Sequence, residues 1–136
     1  MLLACSHLVI ASDDVDRIAG FFAAAFDIAP SFANDMFAEF VLPSKFRVAF
    51  FKPVGASGGT FQAGDDRSTV AFGMTVADVQ RLYERLAANA DTLGVGLSGP
   101  PKAHAWGETS FLLTVPDGNR WEVTQSPSLN GMLTTR

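Results

Sequence analysis

The sequence predicts an α+β fold built from two tandem βαβββ modules, and three observations carry that prediction. Asp14-Val15-Asp16-Arg17-Ile18 and Asp78-Val79-Gln80-Arg81-Leu82 match in character at an offset of 64, a sign of internal duplication. The apolar positions Val15, Ile18 and Phe22, and likewise Val79, Leu82 and Leu86, fall at helical spacing. Each helix is preceded by one short apolar run and followed by several that are separated by turn residues.

In chain order, Leu8-Val9-Ile10 is the first strand, and Leu2-Leu3-Ala4-Cys5 reads as its beginning. Asp13 is placed to cap the first helix, with Asp16 at the third position. Strands follow at 32–34, 37–42 and, beyond the Pro43-Ser44 turn, 46–51. The segment 53–68 links the modules. Its glycines, Gly55, Gly58, Gly59 and Gly64, make it a flexible connection rather than a phosphate loop, which would run from a strand into a helix. Val70–Met74 opens the second module, and Thr75 or Asp78 caps its helix. Strands near 96–98, 110–115 and 119–125 complete it, the last two joined by Pro116-Asp117-Gly118. Residues 126–136 form a polar tail. A unit of about 60 residues has difficulty burying a core alone, so residues 1–136 are expected to form one domain.

Composition removes several functional classes. At 48% apolar and 18% charged residues the chain is not of disordered type. No stretch approaches the roughly 18–20 apolar residues of a membrane span. A net charge of −4 without a basic run speaks against a nucleic-acid surface. The single cysteine, Cys5, excludes an internal disulfide and a multi-cysteine zinc site. Leu2-Leu3-Ala4-Cys5 has the form of a lipoprotein cleavage box, but the basic and apolar segments such a box follows are missing, so a cytoplasmic location is expected. Neither a Gly-x-Ser-x-Gly elbow, nor His-Glu-x-x-His, nor a dinucleotide fingerprint occurs.

The duplication, His7 on the first strand followed by Asp14 and an aromatic helix, Trp106-Gly107, and Pro116-Asp117-Gly118-Asn119 leading to Glu122 resemble the vicinal oxygen chelate superfamily over roughly residues 3–125. That group includes glyoxalases, extradiol dioxygenases, and fosfomycin- and bleomycin-resistance proteins. The resemblance implies curved mixed sheets enclosing a cleft, and up to four inward side chains, from the first and last strands of the modules, holding a divalent metal. If Leu8 and Ile10 face the helix, strand alternation turns Cys5, His7 and Val9 to the cleft. The repeat maps His7 onto Ala71 and Glu122 onto Ala49, so two of the four implied metal positions carry alanine.

His7 and Glu122 are therefore the candidate catalytic and metal-binding residues, with zinc, nickel, manganese or iron as the ion if one is bound. Cys5 and His104 are the available third ligands. Arg47, Phe51, His104 and Trp106 are the candidate ligand-binding residues, with His7 and Arg47 as partners for the Glu122 carboxylate. Bland readings stand beside these: His7 as a hydrogen-bonded strand residue, Trp106 as a plug at the sheet end, His104 as an exposed loop residue. Phe21, Phe22, Phe26, Phe32, Phe37 and Phe40 supply core or dimer contacts.

Three functions fit. The first is a small-molecule binder resembling the metal-free resistance proteins, its cleft holding a planar or partly cationic ligand. The second is a metal-dependent lyase or dioxygenase of the glyoxalase type. The third is a non-catalytic interaction protein that retains the fold. The resemblance also implies a homodimer, and the composition points to neither a membrane nor a nucleic acid as partner.

Overall fold

The structure is a computed structural model that describes residues 1–55, 58, 61 and 71–125. The chain divides into two compact units, Met1–Asp65 and Asp66–Arg136. The tail 126–136, Val70 of the expected fifth strand and most of the linker 53–68 lie outside the described residues.

In the first unit, β1 (His7–Ala11), α1 (Val15–Phe26), β2 (Phe32–Ala33), β3 (Phe37–Val41) and β4 (Arg47–Phe51) follow one another. The strands form a mixed sheet in the order β1-β4-β3-β2, with β1 and β4 parallel and the other pairs antiparallel. Helix α1 covers one face, and there alternation sends Ile10, Ala38, Phe40, Val48 and Phe50 inward. Phe22 of the helix meets Phe40 at 4.7 Å and Phe50 at 5.6 Å between ring centroids. All three rings are fully buried, each stabilising the unit by about 1.5–3 kcal/mol through burial alone.

The second unit repeats the plan with β5 (Phe72–Thr75), α2 (Val79–Ala88), β6 (Gly96–Leu97), β8 (Thr109–Thr114) and β9 (Arg120–Gln125). It adds a short helix α3 (Ala90–Leu93) and a strand β7 (Lys102–Ala103), neither of which the sequence pattern predicts. The sheet order is β5-β9-β8-β6, with β7 paired to β8, and β5 runs parallel to β9. Its core is less aromatic: Leu82 and Leu86 of α2 join Phe111, Leu113, Trp121 and Val123. Neither sheet is closed. Among the described residues, no helix is long and apolar enough to cross a membrane.

The duplication holds in the strand register. Val9 faces Ala49 and Gly73 faces Glu122, so the offset of 64 on the first strands of the units and the Pro43–Pro116 alignment of the last agree. The offset remains 64 through β2 and β6, and it changes where the connection 34–36 becomes the longer 98–108.

Two local expectations are corrected. Asp14, not Asp13, caps α1: its carboxylate accepts the Arg17 amide at 3.1 Å, as that of Asp78 accepts the Arg81 amide at 3.0 Å. One residue further back, the Asp13 side chain cannot serve the third amide of the helix. The first strand begins at His7, so Leu2–Cys5 lie outside the sheet and are exposed. The pairing β4 stops at Arg47, whose amide bonds to the Ser6 carbonyl, and no strand residue remains for Cys5 to pair with.

Candidate functional site

Because side chains alternate across a strand, burying Ile10, Phe40, Val48 and Phe50 under α1 forces their neighbours onto the helix-free face. The register arranges those neighbours in three rows. His7, Arg47 and Val41 form the first; Val9, Ala49, Glu39 and Phe32 the second; Ala11, Phe51 and Phe37 the third. Phe61 rests against Phe51 edge-on, with centroids 5.0 Å apart.

A polar chain crosses this face. Arg47 reaches Glu39 through Nη1 at 3.4 Å, and its Nη2 lies 3.5 Å from Nδ1 of His7. Glu39 Oε1 accepts a 2.9 Å bond from the Ser31 hydroxyl. A guanidinium has no acceptor, so the imidazole nitrogen facing it must accept. The Ser6 hydroxyl, 2.8 Å from the same nitrogen, then donates to it. That assigns the proton of neutral His7 to Nε2, whose N–H has no partner among the described residues. The ion pair is half-exposed and contributes on the order of 0.2–1 kcal/mol, so it orients the guanidinium more than it stabilises the unit.

The helix-free face of the second unit is different. Glu122 on β9 lies between Gly73 and Leu112 and is exposed. Its carboxylate has no polar partner among the described residues. One row along, Ser110 and Thr124 face each other and are buried. His104 shares a 2.8 Å hydrogen bond with the Ser110 hydroxyl through Nε2 and stacks flat on Trp106, with centroids 4.4 Å apart and planes 4° from parallel. The Trp106 indole N–H donates to Glu108 at 2.8 Å, and the ring remains 70% exposed.

The structure thus joins His7, Arg47 and Phe51 on one face of the first unit, and it places His104 beside Trp106 on the second. Arg47 bonds to Glu39 within its own sheet, a partner the sequence reading missed. Its signal is a lone carboxylate in Phe37-Ala38-Glu39-Phe40-Val41, at the same pleat parity as Phe37. Ser6 and Ser31 were also missed, because their roles depend on contacts that sequence does not show. Trp106 does not plug the end of its own sheet, and His104 is neither isolated nor fully exposed. Phe32 lies on the open face, largely exposed, while Phe21, Phe22 and Phe40 are core.

A profile of the Glyoxalase/Bleomycin resistance protein/Dioxygenase superfamily matches residues 4–123. The chain belongs to that superfamily. No curated protein matches it. Among solved structures, it is similar to a glyoxalase-related enzyme from Fulvimarina pelagi, with 25% identity, a TM-score of 0.73, and coverage of 93% of this chain and 90% of that one. A glyoxalase/bleomycin resistance protein/dioxygenase from Nocardioides is 20% identical with a TM-score of 0.70, covering 93% and 85%. The genomically encoded fosfomycin resistance protein of Listeria monocytogenes shares the fold at 16% identity and a TM-score of 0.70, covering 96% and 98%.

For this glyoxalase-superfamily member the resemblance implied a divalent ion, and the residues at the implied positions do not fit one. His7 and Glu122 are donors, but Ala71 and Ala49 offer none, whereas catalytic sites commonly use three protein ligands. Arg47 sets a permanent positive charge beside His7. Metal at Nε2 would also require the proton to move to Nδ1, the nitrogen that faces the guanidinium. Among the described residues, no three His, Cys, Asp or Glu side chains form a group able to hold an ion.

Proposed function

We propose that this superfamily member binds a planar, partly cationic organic molecule on the helix-free face of its first sheet, without a resident metal ion. The observation that carries this reading is the open face of the first unit, where Phe32, Phe37 and Phe51 share a surface with the His7–Arg47–Glu39 chain. Aromatic faces supply stacking and buried area, and a few fixed polar groups supply orientation, the usual division of labour in a ligand site. On the second unit, Glu122, whose carboxylate has no polar partner among the described residues, and the exposed indole of Trp106 offer the same kinds of group on a surface of their own.

The test is elemental analysis of protein purified without an affinity tag, then titration with Ni²⁺, Zn²⁺, Mn²⁺ and Fe²⁺. In parallel, tryptophan fluorescence and thermal melting are followed with bleomycin, fosfomycin and a panel of planar organic cations. The expected result is no stoichiometric metal and a ligand-dependent rise in melting temperature. Near one metal per chain, lost in Glu122→Ala, would overturn the reading in favour of a metal-dependent lyase or dioxygenase. No response to any ligand or metal would leave the non-catalytic interaction protein.

A further inference from the structure

We infer that the His7–Arg47 end of the first unit's open face is an oxyanion site, and that the ligand carries a carboxylate or phosphonate on a single aromatic ring. The inference rests on the ligand-binding reading above and names the chemistry of one end of that ligand.

Three features point there. The exposed side chains of the first row carry donors: the Nε2–H of His7 and the guanidinium of Arg47. Glu39 engages Nη1 at a long 3.4 Å while being held at 2.9 Å by Ser31, so it steers the guanidinium without saturating its five N–H groups. The next row, roughly 7 Å along the strands, exposes Val9, on which a ring can lie, while Ala49 beside it is buried. Phe51, two residues beyond Ala49 on the same face, supplies an aromatic neighbour to that ring. A planar arene against Val9 and the half-buried Phe51 therefore directs a charged substituent at Arg47 and His7. Charge-assisted hydrogen bonds to a guanidinium are the strong kind, and its planar fork suits carboxylate and phosphonate alike.

The experiment is calorimetric titration of the full chain with benzoate, phenylphosphonate and neutral benzamide. Either anion is expected to bind at least about tenfold tighter than benzamide, and whichever of the two binds tighter identifies the preferred oxyanion. Arg47→Ala abolishes that preference. Glu39→Gln, which releases Nη1 but keeps an acceptor for Ser31, tightens anion binding severalfold and leaves benzamide unchanged; a purely structural ion pair would give no such gain. Should Arg47→Ala fail to fold, Glu39→Gln decides alone. Equal binding of benzamide and both anions, or weaker anion binding in Glu39→Gln, overturns the inference. Binding of planar cations with no binding of either anion overturns it while the ligand-binding function stands. No binding of any of these molecules removes both.

Discussion

Lys45 occupies the left-handed backbone position that Gly118 fills in the other half of the chain. Lys45 has φ 75° and Gly118 φ 90°, and each amide bonds three residues back, to Leu42 at 2.8 Å and to Val115 at 2.9 Å. The two hairpins are copies, but only one has the residue that adopts this conformation without steric cost. Lys45→Gly is expected to stabilise the protein by about 1 kcal/mol, and Gly118→Lys to destabilise it by about as much. Urea midpoints measured at constant m-value check both. Equal midpoints for Lys45→Gly and the parent would mean that the greater freedom of glycine in the unfolded chain offsets the relief.

Gly73 faces Glu122 across the parallel pair, and a Cβ placed there would meet no atom within 4 Å. Glycine in a strand interior is unfavourable by roughly 0.5–1 kcal/mol relative to alanine. Gly73→Ala should therefore raise the urea midpoint by that increment. A fall would show that the space beside the carboxylate is already filled.

The Arg47–His7 contact makes a prediction visible by nuclear magnetic resonance. In neutral imidazole, the ¹⁵N resonance of Nδ1 is expected in the range of an accepting nitrogen and that of Nε2 in the range of a protonated one. Arg47→Ala removes the donor that enforces this choice, so the two resonances should move toward each other. The reverse assignment in the parent protein would sink the tautomer argument.

Asp117 supplies a pH dependence. Burial raises its pKa above 3.8, against hydrogen bonds from Asn119 that lower it, and Oδ2 is buried without a partner among the described residues. The native state therefore holds this proton more tightly than the unfolded chain. Its contribution favours folding below pH 3.8 and is lost as pH rises through the higher folded value. At neutral pH Asp117→Asn, which preserves the bond from the Asn119 amide, should raise stability by up to about 1 kcal/mol. Thermal melts at pH 7 and below 3.8 check it: the gap between variant and parent should close in acid.

Much of the fold was legible because burial imposes periodicity. Val15, Ile18 and Phe22 sit under the first sheet for the same reason that Val79, Leu82 and Leu86 sit under the second. The offset of 64 thus located both helices, and the apolar runs with their turn residues located eight strands around them. Helix α3 was not legible, since four residues are too short to show a period, and Lys102-Ala103 of β7 has neither an apolar pattern nor a counterpart in the first unit. The face of His7 and Arg47 followed from alternation. Their partners Glu39, Ser31 and Ser6 did not, because contacts between distant strands depend on register, which propensity does not encode. His104 looked isolated between two alanines, and the turn that stacks it on Trp106 reads only as loop chemistry.

The matched register also gives the molecule built-in experimental controls. Arg47 has its counterpart in Arg120, Ala49 in Glu122 and Lys45 in Gly118, so a substitution and its mirror substitution can be compared within one polypeptide. Temperature, ionic strength and protein concentration are then common to both measurements. What differs between the mirror sites is the residue each copy carries and the local surroundings it has acquired.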